Sequence, residues 1–560
     1  MVGIILLFLV SFLFPVNANT MEKTVLPTTK GTIFYVGGSG PGNYTSIQAA
    51  INNSTNGNTI DVYPGDYNEH LIINKTLFLN GIPGEGLDRP TISGGDYWAV
   101  TFEADGCLFQ EFNVTNNGYP GAIKLHSDHN TIRNCTVLNS NDDLYYDHSS
   151  YNSIMNNTLS GGWRGMRLFG SSYNTIENNM VRGHTYAEII LNEASNNNMI
   201  QDNDFSNSWI VYGIENHGNS SNNVFQGNII DSNNYGGILI DSGFNLSLIA
   251  NTLLHNGIMI SASLNAMLTY TIENNSINSK PLCFYKNRHA IDVPSNAAQV
   301  IFVNCANSSA QNLTLEGVDV GILLQSCSYM QILNNKITTC DYGIMAMNVN
   351  NSTLSNNILT DDSEGIRLSA SGYDTISENT IGGTGNAGIR VSSLSYTIIS
   401  SNKISRHWYG IDLFRSDSNR LTRNKVSLSD KVGVLIDESK LNELDHNDIT
   451  ANKFGLEIED SPLNIVFKNN INLNVECGLS LDSSGMGFTT GNLIKRNNFI
   501  GNVQSATFFE ALLNRWVGNY WNIPRVAPKI IIGVLFADPF MGTSLPWFNV
   551  DWRPARIPNI

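Results

Sequence analysis

Charge is scarce in this chain of 560 residues, and basic charge is the scarcest. Charged residues make up 14%, and 32 Lys and Arg stand against 48 Asp and Glu, for a net charge of −16. An ordinary soluble domain carries about 25% charged residues. Nucleic acids are bound by basic surfaces, so this composition excludes a nucleic-acid-binding protein. Because 41% of the residues are hydrophobic, the chain is also not disordered and can bury a large core.

Long apolar runs are missing beyond the N-terminus, which excludes a multi-pass membrane protein. Residues 4–16 form an almost unbroken apolar run, and its length is that of the central region of an export signal. Val16-Asn17-Ala18 then offers small residues for cleavage. We predict that residues 1–20 are a signal peptide, with an uncleaved short anchor as the alternative. The protein is then secreted, periplasmic or on the cell surface, with no further membrane span.

Cysteine pairs with metal-site spacing are also missing. None of the seven cysteines forms a Cys-x-x-Cys pair, so neither a zinc site nor a thioredoxin-like site is indicated. Cys283, Cys305 and Cys327 follow one another at intervals of 22 residues. A disulfide between Cys305 and Cys327 and a pair of buried free thiols remain as alternatives.

Asparagine is the residue in excess, with 77 positions. Many of them fall in one template, apolar-polar-polar-Asn-any-apolar, as in Ile154-Met-Asn-Asn157-Thr-Leu159. The steps between successive templates are mostly 22–25 residues. The template asparagines are Asn157, Asn179, Asn203, Asn228, Asn251, Asn275, Asn312, Asn335, Asn357, Asn379, Asn402, Asn424, Asn447, Asn469 and Asn497.

A second motif, Gly-apolar-x-apolar, follows most of these asparagines by eight or nine residues, as in Gly365-Ile-Arg-Leu368. Each unit therefore holds at least two short strands separated by turn residues. One unit has no face that it can bury alone, so the units must coil and stack into a β-solenoid. Leucine-rich repeats need Leu-rich helical segments, propeller blades need about 40 residues, and helical repeats do not tolerate so much Gly and Asn.

The recurring asparagine has a physical reason in such a stack. Its amide is both donor and acceptor, and successive coils lie about 4.8 Å apart. Each amide can then bond to the next, which predicts a structural Asn ladder through the thirteen template positions other than Asn312 and Asn497. Asparagine also tolerates the left-handed backbone of a tight turn.

These repeats resemble the secreted right-handed parallel β-helix proteins, in particular the NosD-like group and its carbohydrate-binding and sugar-hydrolase relatives. The resemblance extends to Tyr44-Thr-Ser-Ile-Gln-Ala-Ala-Ile51, to Ile60-Asp-Val-Tyr-Pro-Gly-Asp-Tyr-Asn-Glu69 and to Arg515-Trp-Val-Gly-Asn-Tyr-Trp521. It implies an all-β, single-stranded right-handed parallel β-helix of about twenty coils, with copper as the cofactor of the NosD-like proteins. From the residues themselves no cofactor is predicted.

The expected organisation has four parts. After the signal peptide, residues 21–99 form an N-terminal cap and the first coils, and residues 100–503 form the repeats, with an irregular coil at about 278–311. Residues 504–560 form an aromatic-rich C-terminal cap. Thr45, with Gln48 three residues later, predicts a capping box for a short amphipathic helix that closes the N-terminal end.

Residues with catalytic or metal-binding chemistry are few. Asp142 and Asp143 are the weak candidates for a hydrolase pair, but the Gly-His-Gly and Arg-Ile-Lys motifs of polygalacturonase-like enzymes are absent. The candidates for copper ligands are the pair His126 and His148, 22 residues apart, and the segment Met345-Ala-Met347. A chance pair on a turn and a core stripe explain them better, so no metal ligand is predicted.

The most suggestive feature is a column of residues in the turns after the ladder asparagines. Stacking of the coils would align exposed aromatic rings, a cation and carboxylates, which suit the C–H faces and hydroxyl groups of sugar rings. The alternative is that these rings pack on neighbouring turns. The glycan-binding candidates are Trp163, Arg164, His184, Tyr186, Glu188, Trp209, Tyr212 and Tyr235.

The sequence therefore favours an exported β-helix protein of the cell envelope or exterior, which binds polysaccharide without catalysis or serves as a surface structural protein. The alternatives are a NosD-like copper-binding accessory protein and a polysaccharide lyase or glycoside hydrolase. The sequence leaves the oligomeric state open.

Overall fold

The computed structural model describes residues 31–86, 88–116, 119–483, 488–538 and 543–559. It is a parallel β-solenoid of about 22 coils with two short helices, Ile47–Asn53 and Leu264–Met267. The predicted all-β parallel solenoid is confirmed. In the described part of the chain, none of the helices has the length and apolar character needed to cross a membrane.

Each regular coil contributes up to three strands, one to each face of the column. One face of the first half is an eleven-stranded sheet. Its strands, in stacking order, are Ile33–Val36, Thr59–Val62, Phe78–Gly81, Leu108–Gln110, Thr131–Arg133, Ser153–Met155, Thr175–Glu177, Met199–Gln201, Val224–Gln226, Ser247–Ile249 and Thr271–Glu273.

One face of the second half is a separate sheet of ten strands. These are Thr314–Glu316, Lys336–Thr338, Ile358–Thr360, Thr380–Gly382, Lys403–Ser405, Lys425–Ser427, Asp448–Thr450, Asn470–Asn472, Asn498–Phe499 and Tyr520–Trp521.

The remaining faces are joined in one sheet of forty strands. In the first half it contains Asp66–Tyr67, Leu71–Ile73, Thr91–Ser93, Val100–Phe102, Asn113–Thr115, Ile123–Leu125, Thr136–Asp147, Thr158–Phe169, Met180–Arg182, Ala187–Asn192, Asp204–Ser206, Tyr212–Asn216, Ile229–Asp231, Gly236–Ile240, Thr252–Leu254, Ile258–Ile260 and Ser276–Ile277. At the irregular coil it contains Lys280–Lys286 and Gln299–Val303.

In the second half the same sheet contains Ser309–Gln311, Val320–Gln325, Gln331–Leu333, Tyr342–Met347, Thr353–Ser355, Glu364–Ser369, Thr375–Ser377, Ala387–Ser392, Ile398–Ser400, Tyr409–Phe414, Arg420–Thr422, Val432–Asp437, Glu443–Asp445, Phe454–Glu459, Ile465–Phe467, Cys477–Asp482, Leu493–Lys495, Gln504–Phe509, Arg515–Val517, Lys529–Asp538 and Thr543–Asp551. The apolar residue at the centre of most strands points inward and is fully buried, which builds one continuous core.

Asparagine amides run along the column from coil to coil. Asn402 is representative, because its Nδ2 donates to Asn424 Oδ1 at 2.9 Å and to the Ile376 carbonyl at 2.9 Å. The residue just before each of these asparagines, such as Ser401, is left-handed, whereas the ladder asparagine itself is not. Asn312 is one of these left-handed residues, and Leu313 occupies the ladder position in its coil. Including Asn312 in the template was therefore wrong by one residue.

The first helix is capped one residue later than predicted. Ser46, not Thr45, is its N-cap, and its hydroxyl accepts from the Ala49 amide at 3.2 Å. Glu69 then reaches across from the next coil, and its carboxylate accepts from the Ile47 and Gln48 amides, each at 2.9 Å. A carboxylate on the first turn matches the positive end of the helix, which accounts for the position of Glu69.

Two side chains splice the column where the period is interrupted. The strand Ile258–Ile260 has no backbone partner on its far side in the described chain. Instead the side-chain amide of Gln299 binds the backbone of Ile258. Its Nε2 donates to the Ile258 carbonyl at 2.7 Å, and its Oε1 accepts from the Ile258 backbone N–H at 3.0 Å. Asp319 accepts from the Gly237 and Gly257 amides at 3.3 and 3.2 Å. We call Gln299 and Asp319 the splice.

The C-terminal end is closed by an antiparallel hairpin, Lys529–Asp538 with Thr543–Asp551. Asp551 is fully buried and takes the place of the next ladder amide. Its carboxylate accepts from the Asn519 amide at 2.9 Å, from Asn519 Nδ2 at 3.1 Å and from Trp521 Nε1 at 3.1 Å. The Asn-Tyr-Trp motif is thus the point at which the last coil is tied to the hairpin.

Candidate functional site

Aromatic side chains line up on one edge of the column between coils. The Tyr186 amide donates to the Trp163 carbonyl at 2.7 Å, and the Val211 amide to the Tyr186 carbonyl at 3.3 Å. The Tyr235 amide in turn donates to the Val211 carbonyl at 3.4 Å. At about 4.8 Å per coil, this column rises about 15 Å from Trp163 to Tyr235. In the third coil the column position is Val211, and Trp209 lies two residues before it in the same turn, where its amide donates to the His184 carbonyl at 3.0 Å. We call Trp163, Tyr186 and Tyr235, together with the neighbouring Trp209, the aromatic stripe.

The rings of the stripe are open to solvent to different extents. Trp209 is 70% exposed, Tyr235 58% and Trp163 37%. The Trp163 and Tyr186 rings stack with centroids 5.5 Å apart. The stripe is thus a partly self-stacked apolar ridge rather than four isolated rings.

A fixed cation lies beside the stripe. Arg164 Nη1 is 3.0 Å from Asp142 Oδ1, and its guanidinium carbon lies 5.5 Å from the centre of the Tyr186 ring. Burial raises the pKa of Asp142, although Arg164 opposes this. Asp142 is only 4% exposed. Its role in this geometry is to position Arg164 beside the Tyr186 ring.

Three of the predicted candidates form a buried cluster beneath the stripe. His184 Nε2 is 3.0 Å from Asp143 Oδ2, and its Nδ1 contacts Glu188. All three side chains are fully buried. Burial raises the pKa of Asp143 to about 7. Burial alone would lower the pKa of His184, but its hydrogen bonds to the two carboxylates raise it to about 9.

The burial of these side chains differs from the sequence prediction, which placed them at the surface. His184 and Glu188 were predicted among exposed glycan contacts, and Asp142 and Asp143 as weak catalytic candidates, but these four side chains lie beneath the surface. Tyr212 is also buried, at 5% exposed, and packs edge-on against Tyr235 at 5.3 Å. Of the eight candidates, Trp163, Arg164, Tyr186, Trp209 and Tyr235 keep contact with solvent.

The sequence reasoning missed a polar groove of about 940 Å³ on a neighbouring face. Its floor is formed by the first residues of successive strands, and its wall by the loop before Thr91. Arg89 pairs with Glu111 at 2.8 Å and donates to the Asn134 carbonyl at 2.6 Å. The available signal was the run of polar strand-initial residues Asp66, Thr91, Asn113, Thr136 and Thr158.

The residues weighed for copper do not fit a metal centre. Within the described ranges, no group of three or more His, Cys, Asp or Glu side chains is arranged to hold a metal ion. His126 and His148 instead share the carboxylate of Asp147, at 3.4 and 2.9 Å from its oxygens. Cys305 and Cys327 are free thiols, so the disulfide alternative is not formed in this structure.

Family models match most of the chain in two blocks. The model described as right handed beta helix region matches residues 83–187 and 121–277. The model described as periplasmic copper-binding protein (NosD) matches residues 286–427 and 388–537. The boundary between the two blocks falls at the irregular coil. No curated protein sequence matches the chain.

Solved structures with a similar fold are distant. The catalytic domain of a GH87 alpha-1,3-glucanase in complex with nigerose is 15% identical, with a TM-score of 0.36, over 70% of this chain and 68% of that chain. The periplasmic alginate epimerase AlgG is 12% identical, with a TM-score of 0.34, over 66% and 76%. From its coils and the two family models, the chain is a right-handed parallel β-helix repeat protein with a NosD-like second half.

Proposed function

We propose that this chain is an exported, non-catalytic binding protein for an extended polysaccharide, which it holds along the aromatic stripe. The observation that carries the proposal is the exposed ridge of Trp163, Tyr186, Trp209 and Tyr235 on successive coils. Its polar edge is Arg164, held by Asp142.

The ridge matches the chemistry of a sugar chain in two ways. Aromatic faces bind the apolar C–H faces of sugar rings, and an immobilised guanidinium donates hydrogen bonds to hydroxyl or carboxylate groups. Because Asp142 already fixes Arg164, little side-chain freedom is lost when a ligand binds. A ridge of about 15 Å would contact about three sugar residues, so affinity per chain is modest and an extended ligand is favoured.

The positions of the candidate carboxylates support binding rather than catalysis. Glycoside hydrolysis needs two carboxyl groups that face one sugar bond. Among the candidates, Asp143 and Glu188 are fully buried around His184, and Asp142 is engaged by Arg164. Their position supports a framework role beneath the ridge.

The test is affinity electrophoresis and calorimetry of the protein against a panel of soluble neutral and acidic polysaccharides. Trp163→Ala and Trp209→Ala are each expected to weaken binding about fivefold or more, which is about 1 kcal/mol. Tyr329→Ala is the matched control, because Tyr329 is 55% exposed on the second half of the column.

Three results would overturn the proposal. One is the absence of binding to any polysaccharide of the panel. Another is binding that survives both tryptophan variants but is lost in Arg89→Ala, which would move the site to the polar groove. The third is the appearance of new reducing ends or unsaturated sugars during incubation, which would make the protein an enzyme.

Copper handling is the alternative raised by the description of the matching family. The measurement that separates it from polysaccharide binding is metal analysis of the purified protein. Stoichiometric copper that is lost in His148→Ala, with no change in His255→Ala, would favour the alternative, since His255 is an equally exposed histidine elsewhere on the column.

A further inference from the structure

The hairpin that closes the C-terminal end carries three opposed pairs of apolar side chains on one face. In an antiparallel pair, directly opposed residues lie on the same face. Ile530 opposes Val550, Ile532 opposes Phe548, and Val534 opposes Pro546. We call these six residues the hairpin face.

The hairpin face points away from the column. On the opposite face, Ile531 is 1% exposed and Asp551 is fully buried, so the part of that face near the start of the first strand packs on the last coil. On the hairpin face, Ile530 is 55% exposed, Ile532 66% and Phe548 58%. A contiguous apolar surface of this kind on a soluble chain marks an interaction site.

More exposed apolar side chains surround this face. They come from the segments just before and after the hairpin and, for Leu545 and Trp547, from the opposite face of the hairpin. They are Ile523, Val526, Leu545, Trp547, Trp552 and Ile557. Tryptophan and other large apolar side chains at one end of a molecule are typical of surfaces that enter the interfacial region of a bilayer.

The charge of this end is opposite to that of the rest of the chain. Residues 515–560 contain five Lys and Arg but only two Asp and Glu, in a chain whose net charge is −16. Arg553 and Arg556 are exposed. Burial and the neighbouring Arg525 both lower the pKa of Lys529. Within the described residues, none of the five cations pairs with a carboxylate.

We propose that the hairpin face docks on a lipid bilayer with anionic headgroups. The six apolar side chains of the face would enter the outer part of the acyl region, while Arg553 and Arg556 contact the headgroup phosphates. The acidic column then stands away from the bilayer, because its own charge is repelled by the anionic surface.

A second copy of this chain is the other occupant that such a face could take. Two hairpin faces that meet across a twofold axis would bring both basic ends together. Like charges at close range oppose that contact, whereas anionic headgroups neutralise them. The charge at this end therefore favours lipid over self-association.

The experiment places an environment-sensitive NBD probe on the hairpin face of the full chain through Ile530→Cys. The seven native cysteines are all buried, which favours labelling at the new thiol. The matched control probe is placed through Tyr329→Cys. The protein is titrated with vesicles of phosphatidylcholine alone and of phosphatidylcholine with 30% phosphatidylglycerol. Because the probe is local, it reports contact of the hairpin face with lipid even if the apolar N-terminal residues 4–16 also bind the vesicles.

On the anionic vesicles, a blue shift and at least a twofold gain in emission are expected at position 530, with no change at position 329. In Arg553→Gln/Arg556→Gln, the vesicle concentration at half-saturation is expected to rise about 30-fold, at about 1 kcal/mol per cation near the surface. Ile532→Ser/Phe548→Ser should raise it at least tenfold.

Several outcomes would contradict docking of the hairpin face on a lipid bilayer. An unchanged signal at position 530 on anionic vesicles overturns the proposal, as does an affinity that neither double variant alters. A blue shift in the absence of vesicles that disappears on dilution would assign the face to a second copy. An equal blue shift on neutral and anionic vesicles would also overturn the proposal, because anionic headgroups would then contribute nothing to docking.

Discussion

A single ladder asparagine satisfies several buried groups at once. Asn402 accepts from both nitrogens of Asn379 at 3.0 Å and donates to the Ile376 carbonyl and to Asn424. Asn402→Ala leaves these groups buried without partners, each at a cost of about 1–3 kcal/mol. We expect about 3 kcal/mol or more of lost stability, measured by urea unfolding. Asn296→Ala, at an exposed turn position, should change stability by less than about 0.5 kcal/mol.

The carboxyl group of Glu457 makes the stability of the second half depend on pH. Burial, followed by the neighbouring Glu459 and Asp482, raises its pKa to about 7. The folded state therefore holds this proton more tightly than the unfolded state, and the stabilisation is lost as pH rises through 7. Glu457→Gln should raise the unfolding temperature by roughly 2 °C at pH 8 and leave it unchanged near pH 5. An equal gain at both pH values would contradict the titration.

At the scale of elements, the splice links the two halves where the strand Ile258–Ile260 has no backbone partner on its far side in the described chain. The other link at this point is the short antiparallel pairing of Ser276–Ile277 with Lys280–Lys286. Gln299 supplies both a donor and an acceptor to Ile258, and Asp319 holds the Gly237 and Gly257 amides. In a solenoid each coil is coupled only to its neighbours. Removing the splice should therefore uncouple the halves.

We expect the variant Gln299→Leu/Asp319→Leu to unfold in two calorimetric transitions and to be cut by protease first within residues 278–311. Glu316→Gln, an exposed substitution nearby, is the control and should unfold as the parent chain does. A single transition in the double variant would show that core packing alone couples the halves.

At the scale of the whole molecule, the coil number sets the shape. About 22 coils at about 4.8 Å each give a column about 100 Å long. Small-angle scattering should give a pair-distance distribution skewed like that of a rod, with a maximum dimension of roughly 100–120 Å. Lengthening the chain by one duplicated repeat, for example residues 380–402, should add about 5 Å to that dimension. A compact, symmetric distribution would be incompatible with this fold.

The repeat was enough to predict the fold, but it did not show which turn side chains are buried and which are exposed. A period of 22–25 residues fixes which residues stack, and the sequence alone carries that information. His184 was placed on the surface because it lies in the turn that follows the ladder asparagine Asn179. It lies three residues after the buried Val181, an offset also held by Ser208, Asn233 and His407, all of which are buried. Comparing that offset across coils could have shown it to point inward.

Other features depend on contacts outside the period. The splice residues and Asp551 each act at one place only, so no repetition in the sequence draws attention to them. Glu69 reaches the helix across 21–22 residues through a side-chain contact, which a local capping motif does not encode. The polar groove needs the loop before Thr91 as a wall, and loop placement is set by packing rather than by pattern.

The splice also determines how a chain of this kind can change its length over evolution. Within either half, a duplicated or deleted repeat brings its own ladder asparagine and meets neighbours identical in kind, so every other contact survives. At the splice, Gln299 and Asp319 are matched to individual backbone groups of particular coils. Homologous chains should therefore differ in repeat number on either side of the irregular coil while the irregular coil itself is inherited as one unit.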